Sequence, residues 1–270
     1  MKALTFTLIA EPPERLDLSP LTPERLAGLD KASIARLRLG QSKRAVSVGD
    51  VFRFAGSELD TLVFDGGSAR FDLVGAGMTA GSVHVIGDVG AQAGRGLHGG
   101  TIRIDGSAGP HAGSAMRGGR LEIAGNAGDD LAAPLAGELA GMAGGVLVVH
   151  GRAGARAGDR MRRGLVAVLR GAGENAGCRM VAGTLVVAGG AGPMPGMLMR
   201  RGSILLDRAP AALSPSFVES GAPDSVFARL VDRHLWAEGI TRRPLFAATP
   251  RRFGGDNAVL GLGEVVFPRE

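Results

Sequence analysis

The sequence predicts a mainly β protein, a right-handed parallel β-helix of about seven 19-residue coils with an N-terminal cap and a C-terminal helical cap. Three observations lead to this prediction. The 270 residues include 45 glycines, yet 45% are hydrophobic, so the glycines serve a regular fold rather than a disordered segment. Glycines recur at a fixed spacing, and a short alternating apolar run follows each of them. A fixed period near 20 residues is typical of a solenoid, in which each coil buries its apolar side on its neighbours.

One glycine before each apolar run defines the repeat. These glycines are Gly81, Gly100, Gly119, Gly145, Gly164, Gly183 and Gly202. Their spacing is 19 residues except between Gly119 and Gly145, where it is 26, so one coil carries seven extra residues. We expect this insertion near 129–135, at a corner where extra residues leave the stack intact and commonly make contacts.

Two columns of apolar residues follow the repeat glycines and predict the strands. The first column is Val83, Ile102, Leu121, Leu147, Val166, Leu185 and Ile204, and the second is Val85, Ile104, Ile123, Val149, Val168, Val187 and Leu206. Alternating positions face the interior of each coil. The outward positions are polar in the first three coils but become apolar later, as at Val148 and Val186. Strands that are apolar on both faces must be covered on both, so we expect a helix or a partner subunit over this surface.

The chain divides into three predicted parts. Residues 1–56 form an N-terminal capping segment, 57–207 form the β-helix, and 208–270 form a C-terminal capping segment. In the last part, helical spacing of apolar residues predicts a helix over about 225–238, with Asp224 as N-cap and Gly239 as its end. A shorter helix is predicted over 22–36, starting at Thr22-Pro23-Glu24.

The repeat and the two flanks resemble one family. The relevant segments are GAGMTAGSVHVIGDVG at 75–90, VGDVF at 48–52, RRFGGD at 251–256 and GLGE at 261–264. They resemble the C subunit of formylmethanofuran dehydrogenase and its bacterial counterpart in the formyltransferase/hydrolase complex of methylotrophs. The repeat is also similar to the glycine-rich β-helix domain at the C-terminus of glutamate synthase large subunits, but the 251–264 tail favours the C subunit.

The resemblance implies a function. Such a complex transfers a formyl group from formyl-tetrahydromethanopterin to a methanofuran-like cofactor and hydrolyses it to formate. The active sites belong to hydrolase-like and formyltransferase subunits, so we expect this chain to be a non-catalytic, cytoplasmic scaffold with no nucleic-acid or membrane partner. The Ala- and Arg-rich composition favours the bacterial complex. The alternatives are the C subunit of a tungsten or molybdenum formylmethanofuran dehydrogenase and, from another class, a stand-alone β-helix enzyme with a cleft near the 129–135 insertion.

No residue pattern predicts catalytic or metal chemistry in this chain. The five histidines share no metal-ligand spacing. The methionines at coil spacing are expected to fill the core. Cys178 is the single cysteine, which excludes an internal disulfide, and it is expected to be an inert thiol at a turn. We therefore predict no catalytic residue, no metal site and no covalently bound cofactor.

The arginines give the one predicted binding site. Residues 156–208 hold nine arginines against three acidic residues, and several flank the methionine column. Like charges repeated along one edge cost stability unless an anion lies between them. The resemblance implies a methanofuran-like cofactor with a glutamate-rich tail at a subunit interface, and guanidinium groups bind carboxylates well. The predicted tail-binding residues are Arg160, Arg162, Arg163, Arg179 and Arg200.

Overall fold

The structure, a computed structural model, describes residues 2–40, 45–220, 226–242, 244–245 and 250–268. Its strands are β1 (Ala3–Leu8), β2 (Leu16–Asp17), β3 (Arg38–Leu39), β4 (Val46–Ser47), β5 (Phe52–Ala55), β6 (Glu58–Asp65), β7 (Phe71–Asp72), β8 (Ser82–Ile86), β9 (Thr101–Ile104), β10 (Arg117–Ile123), β11 (Ala143–Val149), β12 (Arg163–Val168), β13 (Thr184–Val187), β14 (Arg201–Leu206), β15 (Val218–Glu219), β16 (Pro250–Gly255) and β17 (Leu262–Pro268). Its helices are α1 (Pro23–Leu26), α2 (Lys31–Arg36), α3 (Val48–Val51) and α4 (Val226–Ala237). The protein is therefore mainly β, and within these ranges no helix is long and apolar enough to span a bilayer.

Thirteen strands of the described residues form one sheet in the order β15-β16-β17-β14-β13-β12-β11-β10-β9-β8-β6-β1-β5. All pairs from β1 through β6 and β8 to β14 and β17 are parallel. The ends are antiparallel: β5 pairs with β1, and β16 pairs with β17 and β15. The predicted large parallel sheet is confirmed. Strands from outside the repeat thus occupy both edges of the parallel stack.

The register of the sheet follows the 19-residue repeat. From Val83 to Ile204, each member of the first predicted column is the direct partner of the next one. Away from the sheet, a second line of isolated parallel bridges connects successive coils. It runs through Ser68, Val89, Ala108, Ala127, Ala153, Ala172 and Ala191. Successive coils therefore contact each other along two separate lines.

The repeat glycines permit close approach between coils. Gly119 has a φ of 70°, and a Cβ atom on it would lie 2.7 Å from the carbonyl oxygen of Gly100. No side chain fits at such a distance, and the backbone conformation disfavours other residues. The glycine density of the sequence is thus explained by backbone contacts that recur once in each coil.

Methionine side chains fill the interior behind these corners. Met78, Met116, Met142, Met161, Met180 and Met199 are all fully buried. The prediction that the methionine column is core is confirmed. At the N-terminal end the core becomes aromatic: the ring centroids of Phe6 and Phe64 are 5.1 Å apart, and Phe52 packs at 5.8 Å from both. These rings close the interior at that end.

Helix α4 lies over the apolar part of the outer sheet surface. The fully buried side chains Val148, Ala167, Val186 and Leu205 pack against Ala228, Val231, Leu235 and Ile240. The prediction that a helix covers this face is confirmed. An ion pair of 3.2 Å between Arg120 and Glu238 joins the sheet to the chain just after the helix. The predicted N-cap, Asp224, lies outside the described residues.

The helix predicted over 22–36 is wrong as a single element. The chain forms two short helices, α1 and α2, instead. Gly28 between them has a φ of 79°, a left-handed conformation that ends a helix. Asp30 then starts a new one, because its carboxylate accepts a hydrogen bond from the Ser33 amide at 2.7 Å.

The extra residues of the long coil lie later than the predicted 129–135. The amide of Ala132 donates to the carbonyl of Ala112, continuing the regular pattern between coils. Ala132 also has a φ of 61°, where the preceding coil has Gly113 at 71°. Met142 then donates to the carbonyl of Ala132, as Met116 donates to Gly113. Residues 133–140 therefore stand where the preceding coil has the single residue Ser114, and we refer to them as the insertion loop.

Candidate functional site

The arginines of the predicted site point to two separate places. Arg160 and Arg179 line a cavity beneath the insertion loop, whereas Arg162, Arg163 and Arg200 line a groove on the neighbouring surface. The five residues are close in the repeat, since each lies within two positions of a methionine of the core column. Arg160 and Arg179 directly precede a methionine and lie in turns with left-handed φ values of 50° and 52°, whereas Arg162, Arg163 and Arg200 follow it. The structure therefore divides the predicted site in two.

The arginine groove is formed by Arg162, Arg163, Arg200 and Arg201 together with Val181, Ala182 and Leu260, and its volume is about 500 Å³. Arg163 and Arg201 begin strands β12 and β14, and the coil between them carries Val181 and Ala182 at the intervening level. The two arginine pairs are therefore about 10 Å apart, twice the spacing of neighbouring strands.

The four guanidinium groups of the groove are exposed and make no ion pair with any described residue. Four positive charges around one groove favour an anion with several negative groups. Arg201 was not in the predicted set, although its position relative to Arg200 repeats that of Arg163 relative to Arg162. Leu260 belongs to the turn between β16 and β17 and has no counterpart in the repeat, so no periodicity could have identified it.

The loop cavity, beneath the insertion loop, has a volume of about 370 Å³. Two of its three arginines are paired with carboxylates of the chain. Arg179 forms two hydrogen bonds of 2.9 and 2.5 Å with the Asp159 carboxylate, which is 6% exposed. Arg156 makes a similar pair with Asp130 at 2.8 and 2.7 Å. The negative charge expected between the repeated arginines is thus supplied in the cavity by carboxylates of the chain itself.

Arg160 holds the insertion loop rather than facing a carboxylate. Its guanidinium donates to the carbonyl of Glu138 at 2.9 Å. The Glu138 carboxylate in turn accepts from Arg95 at 2.5 Å and from the Leu135 amide at 3.0 Å. The hydrogen bond from Arg95, followed by that from Leu135, lowers the pKa of Glu138 below its usual value. These contacts fix the loop over the cavity.

The single cysteine, Cys178, is buried and contacts Asp159, which lines the cavity. The Cys178 Sγ donates to Asp159 at 3.2 Å. Burial, and then the nearby Asp159 carboxylate, raise the pKa of the thiol to about 12. The thiol therefore stays protonated near neutral pH, which removes its nucleophilic character.

The histidines of the outer sheet surface are engaged with single acids. His84 Nε2 lies 2.7 Å from Asp105, and His150 Nε2 lies 2.8 Å from Glu122. Arg103 and Arg120 contact the same two carboxylates. Over the part of the chain that the structure describes, no three histidine, cysteine or acidic side chains converge as metal ligands would. These contacts lie on the polar half of the outer sheet surface and link neighbouring strands there.

Comparisons with known proteins cover nearly the whole chain. No family model matches it. The chain is 52% identical over 264 residues to the C subunit of the formyltransferase/hydrolase complex Fhc of Methylorubrum extorquens, covering 98% of this chain and 99% of that protein. Its fold is similar to a chain in the X-ray structure of the formyltransferase/hydrolase complex of the same organism in complex with methylofuran, with a TM-score of 0.91, 43% identity and coverage of 98% and 100%. The chain therefore belongs to the family of the C subunits of formyltransferase/hydrolase complexes.

Proposed function

We propose that this chain is the scaffold subunit of a formyltransferase/hydrolase complex and contributes no catalytic group to it. The observation that carries the proposal is the end-to-end similarity to a C subunit, at 52% identity and with a TM-score of 0.91. In the loop cavity, Arg179 and Arg156 are neutralised by Asp159 and Asp130, and the neighbouring Cys178 thiol is protonated. A hydrolase-like subunit and a formyltransferase subunit would bind to this chain. They would transfer the formyl group of formyl-tetrahydromethanopterin to a methanofuran-like cofactor and release it as formate.

The architecture proposed for the scaffold is a right-handed parallel β-helix over 57–207. The two lines of contact between coils and the 19-residue period support it. Residues 1–56 and 208–270 would be its caps, since they supply the antiparallel strands at the two edges of the sheet. A stack held by backbone hydrogen bonds in every coil is rigid, which suits a subunit that fixes the distance between two active sites.

The arginine groove is proposed as a binding site for the anionic tail of the methanofuran-like cofactor. The fit is chemical, because four guanidinium groups, which form no ion pair with the residues that the structure describes, surround a groove that is open to solvent. Guanidinium groups bind carboxylates through paired hydrogen bonds. Of the residues predicted from sequence, Arg162, Arg163 and Arg200 remain in this proposal and Arg201 joins them. Arg160 and Arg179 hold the loop cavity instead.

The scaffold role is tested by reconstitution. The other subunits of the complex are purified with and without this chain, and formate release from formyl-tetrahydromethanopterin is measured. We expect formate release only when this chain is present together with the other subunits, and none from this chain alone. As a control, Cys178→Ser in the assembled complex should leave the turnover number unchanged. Turnover by the isolated chain, or full activity of the other subunits without it, would contradict the proposal.

The groove is tested by a fourfold change, Arg162→Ser, Arg163→Ser, Arg200→Ser and Arg201→Ser, in the complex. Exposed ion pairs contribute up to about 1 kcal/mol each, so we expect cofactor retention to fall by about tenfold or more at low salt. The matched control changes Arg36, Arg38, Arg53 and Arg152 to Ser and gives the same net charge. Equal retention in both variants would remove the groove from the cofactor site.

A further inference from the structure

Helix α4 has apolar residues on two sides, although one side is enough to hold it on the sheet. Its inner side, Ala228, Val231 and Leu235, packs against the outer surface of the sheet. The rest of the helix exposes further large apolar side chains: Val226 (45%), Phe227 (42%), Leu230 (55%) and Trp236 (65%). Single exposed apolar residues are normal on a protein surface, whereas several on one 12-residue helix indicate a contact surface.

The charges between these apolar residues are all positive among the exposed positions Val226 to Ala237. Arg229 and Arg233 lie four residues apart, so they are neighbours on the helix surface. Neither makes an ion pair with a described residue. The acidic residue of the helix, Asp232, is buried and accepts a hydrogen bond from the Leu245 amide at 2.8 Å. Like charges at this spacing destabilise a helix by a few tenths of a kcal/mol unless an acid compensates them.

We infer that the outer face of α4, defined as Val226, Phe227, Arg229, Leu230, Arg233 and Trp236, binds another protein subunit through an apolar depression bordered by Asp or Glu side chains. Trp and Arg are the residues most enriched at the centres of protein interfaces. A helix that presents apolar residues at neighbouring positions fits a groove on its partner. The sheet, α4 and the partner would then form three successive layers.

A second copy of this chain fits the surface poorly. A symmetric dimer through α4 would place Arg229 and Arg233 of one copy near the same residues of the other. Juxtaposed like charges disfavour an interface strongly. The charge pattern therefore selects a different and acidic partner. The inference rests on the proposed scaffold role and adds to it the surface on which one of the other subunits is held.

The first test compares three variants of the tagged chain, each co-produced with the other subunits of the complex. One carries Phe227→Asp and Leu230→Asp, the second carries Arg229→Glu and Arg233→Glu, and the control carries Ile9→Asp and Ile86→Asp at similarly exposed apolar positions. Each of the first two variants should retain one partner subunit about tenfold less well than the unchanged chain, the usual effect of losing an interface centre. The control should retain it fully. The charge reversal affects no apolar contact of the core, so it keeps the test valid if the first variant unfolds.

The second test examines the acidic character of the partner. A carbodiimide joins amines directly to carboxylates, and the chain has three lysines, none of them on α4. In the assembled complex, Arg233→Lys should crosslink to an Asp- or Glu-containing peptide of one partner subunit, identified by mass spectrometry. The unchanged chain serves as the control and should give no such product.

The outcomes separate this inference from the proposed function. If the unchanged chain retains no other subunit, the proposed function fails. If it retains its partners and both α4 variants retain them equally, the inference is overturned while the scaffold role stands. Absence of the crosslink in an assembled complex overturns the acidic chemistry. If the isolated chain sediments as a dimer that Leu230→Asp converts to a monomer, the surface binds a second copy and the inference is likewise overturned.

Discussion

The loop cavity and the arginine groove are built from the same corner of the repeat but treat their arginines differently. In the cavity, Arg179 and Arg156 are paired with Asp159 and Asp130. In the groove, four arginines lack such partners among the described residues. The ion pairs of the cavity arginines with these carboxylates stabilise the fold. The groove arginines are the ones that we propose to bind an anion from outside the chain. On that proposal, a nearby acid distinguishes the arginines that stabilise the fold from those that bind a ligand.

The largest expected effect concerns the buried Cys178 thiol, which contacts Asp159. Because the pKa of Cys178 is raised from 9.0 to about 12, its thiolate fraction at pH 8 falls about 1000-fold. Iodoacetamide should therefore alkylate the folded protein about 1000-fold more slowly than the urea-unfolded protein, as followed by mass spectrometry. Similar rates in the two states would show that Cys178 is accessible in the folded protein and that its contact with Asp159 is not formed.

The next effect is on stability, and it contrasts the two regions directly. Asp159→Ala leaves Arg179 and the Cys178 thiol without their acceptor, which we expect to cost about 1–3 kcal/mol. Thermal unfolding should shift downward by about 5 °C for a chain of this size.

The matched change in the groove is Arg162→Ala, which removes an exposed guanidinium that has no acid partner among the described residues. Its unfolding temperature should stay within about 1 °C of the unchanged protein. If the two variants melt together, the distinction between structural and binding arginines fails.

The smallest effect is a pH dependence of the insertion loop. The pKa of Glu138 is lowered, mainly by Arg95. A carboxyl group with a lowered folded pKa stabilises the fold fully above its unfolded pKa near 4.5, and this is lost as the pH falls through the folded pKa. Glu138→Gln should therefore lower the free energy of unfolding at pH 6, by less than about 1 kcal/mol because the pair is partly exposed. The gap should close toward pH 3; a constant gap would exclude this ion pair as its cause.

The strand positions could be predicted because the same column of residues must pack on itself in every coil. A parallel stack repeats its interior, so Val83 and Ile204 obey one rule although they are far apart in sequence. The insertion was misplaced because Ala132 adopts the left-handed conformation that glycine has in the preceding coil. The glycine column therefore skips this coil and resumes at Gly158, so the sequence alone places the extra residues too early.

The site was predicted in part because periodicity shows which residues share a corner but not which neighbours neutralise them. Arg160 and Arg179 occupy equivalent places, yet one holds a carbonyl and the other a carboxylate. The signal for the second was present, since Asp159 stands one coil before Cys178 and directly beside Arg160. The α4 contact could be predicted because Val148 and Val186 made the outer sheet surface apolar.

The antiparallel strands at the two edges of the sheet fix the length of the parallel stack. In the described part of the chain, β5 pairs with β1 and β16 pairs with β17, so neither end strand of the parallel stack is free to pair with a further coil from outside. Its length can change only by gain or loss of whole 19-residue units between the ends, and each unit moves the arginine groove relative to the N-terminal edge by about 4.8 Å. Gain or loss of one coil during evolution could thus change the distance between bound subunits by one strand spacing, while the chemistry of the binding surfaces stays the same.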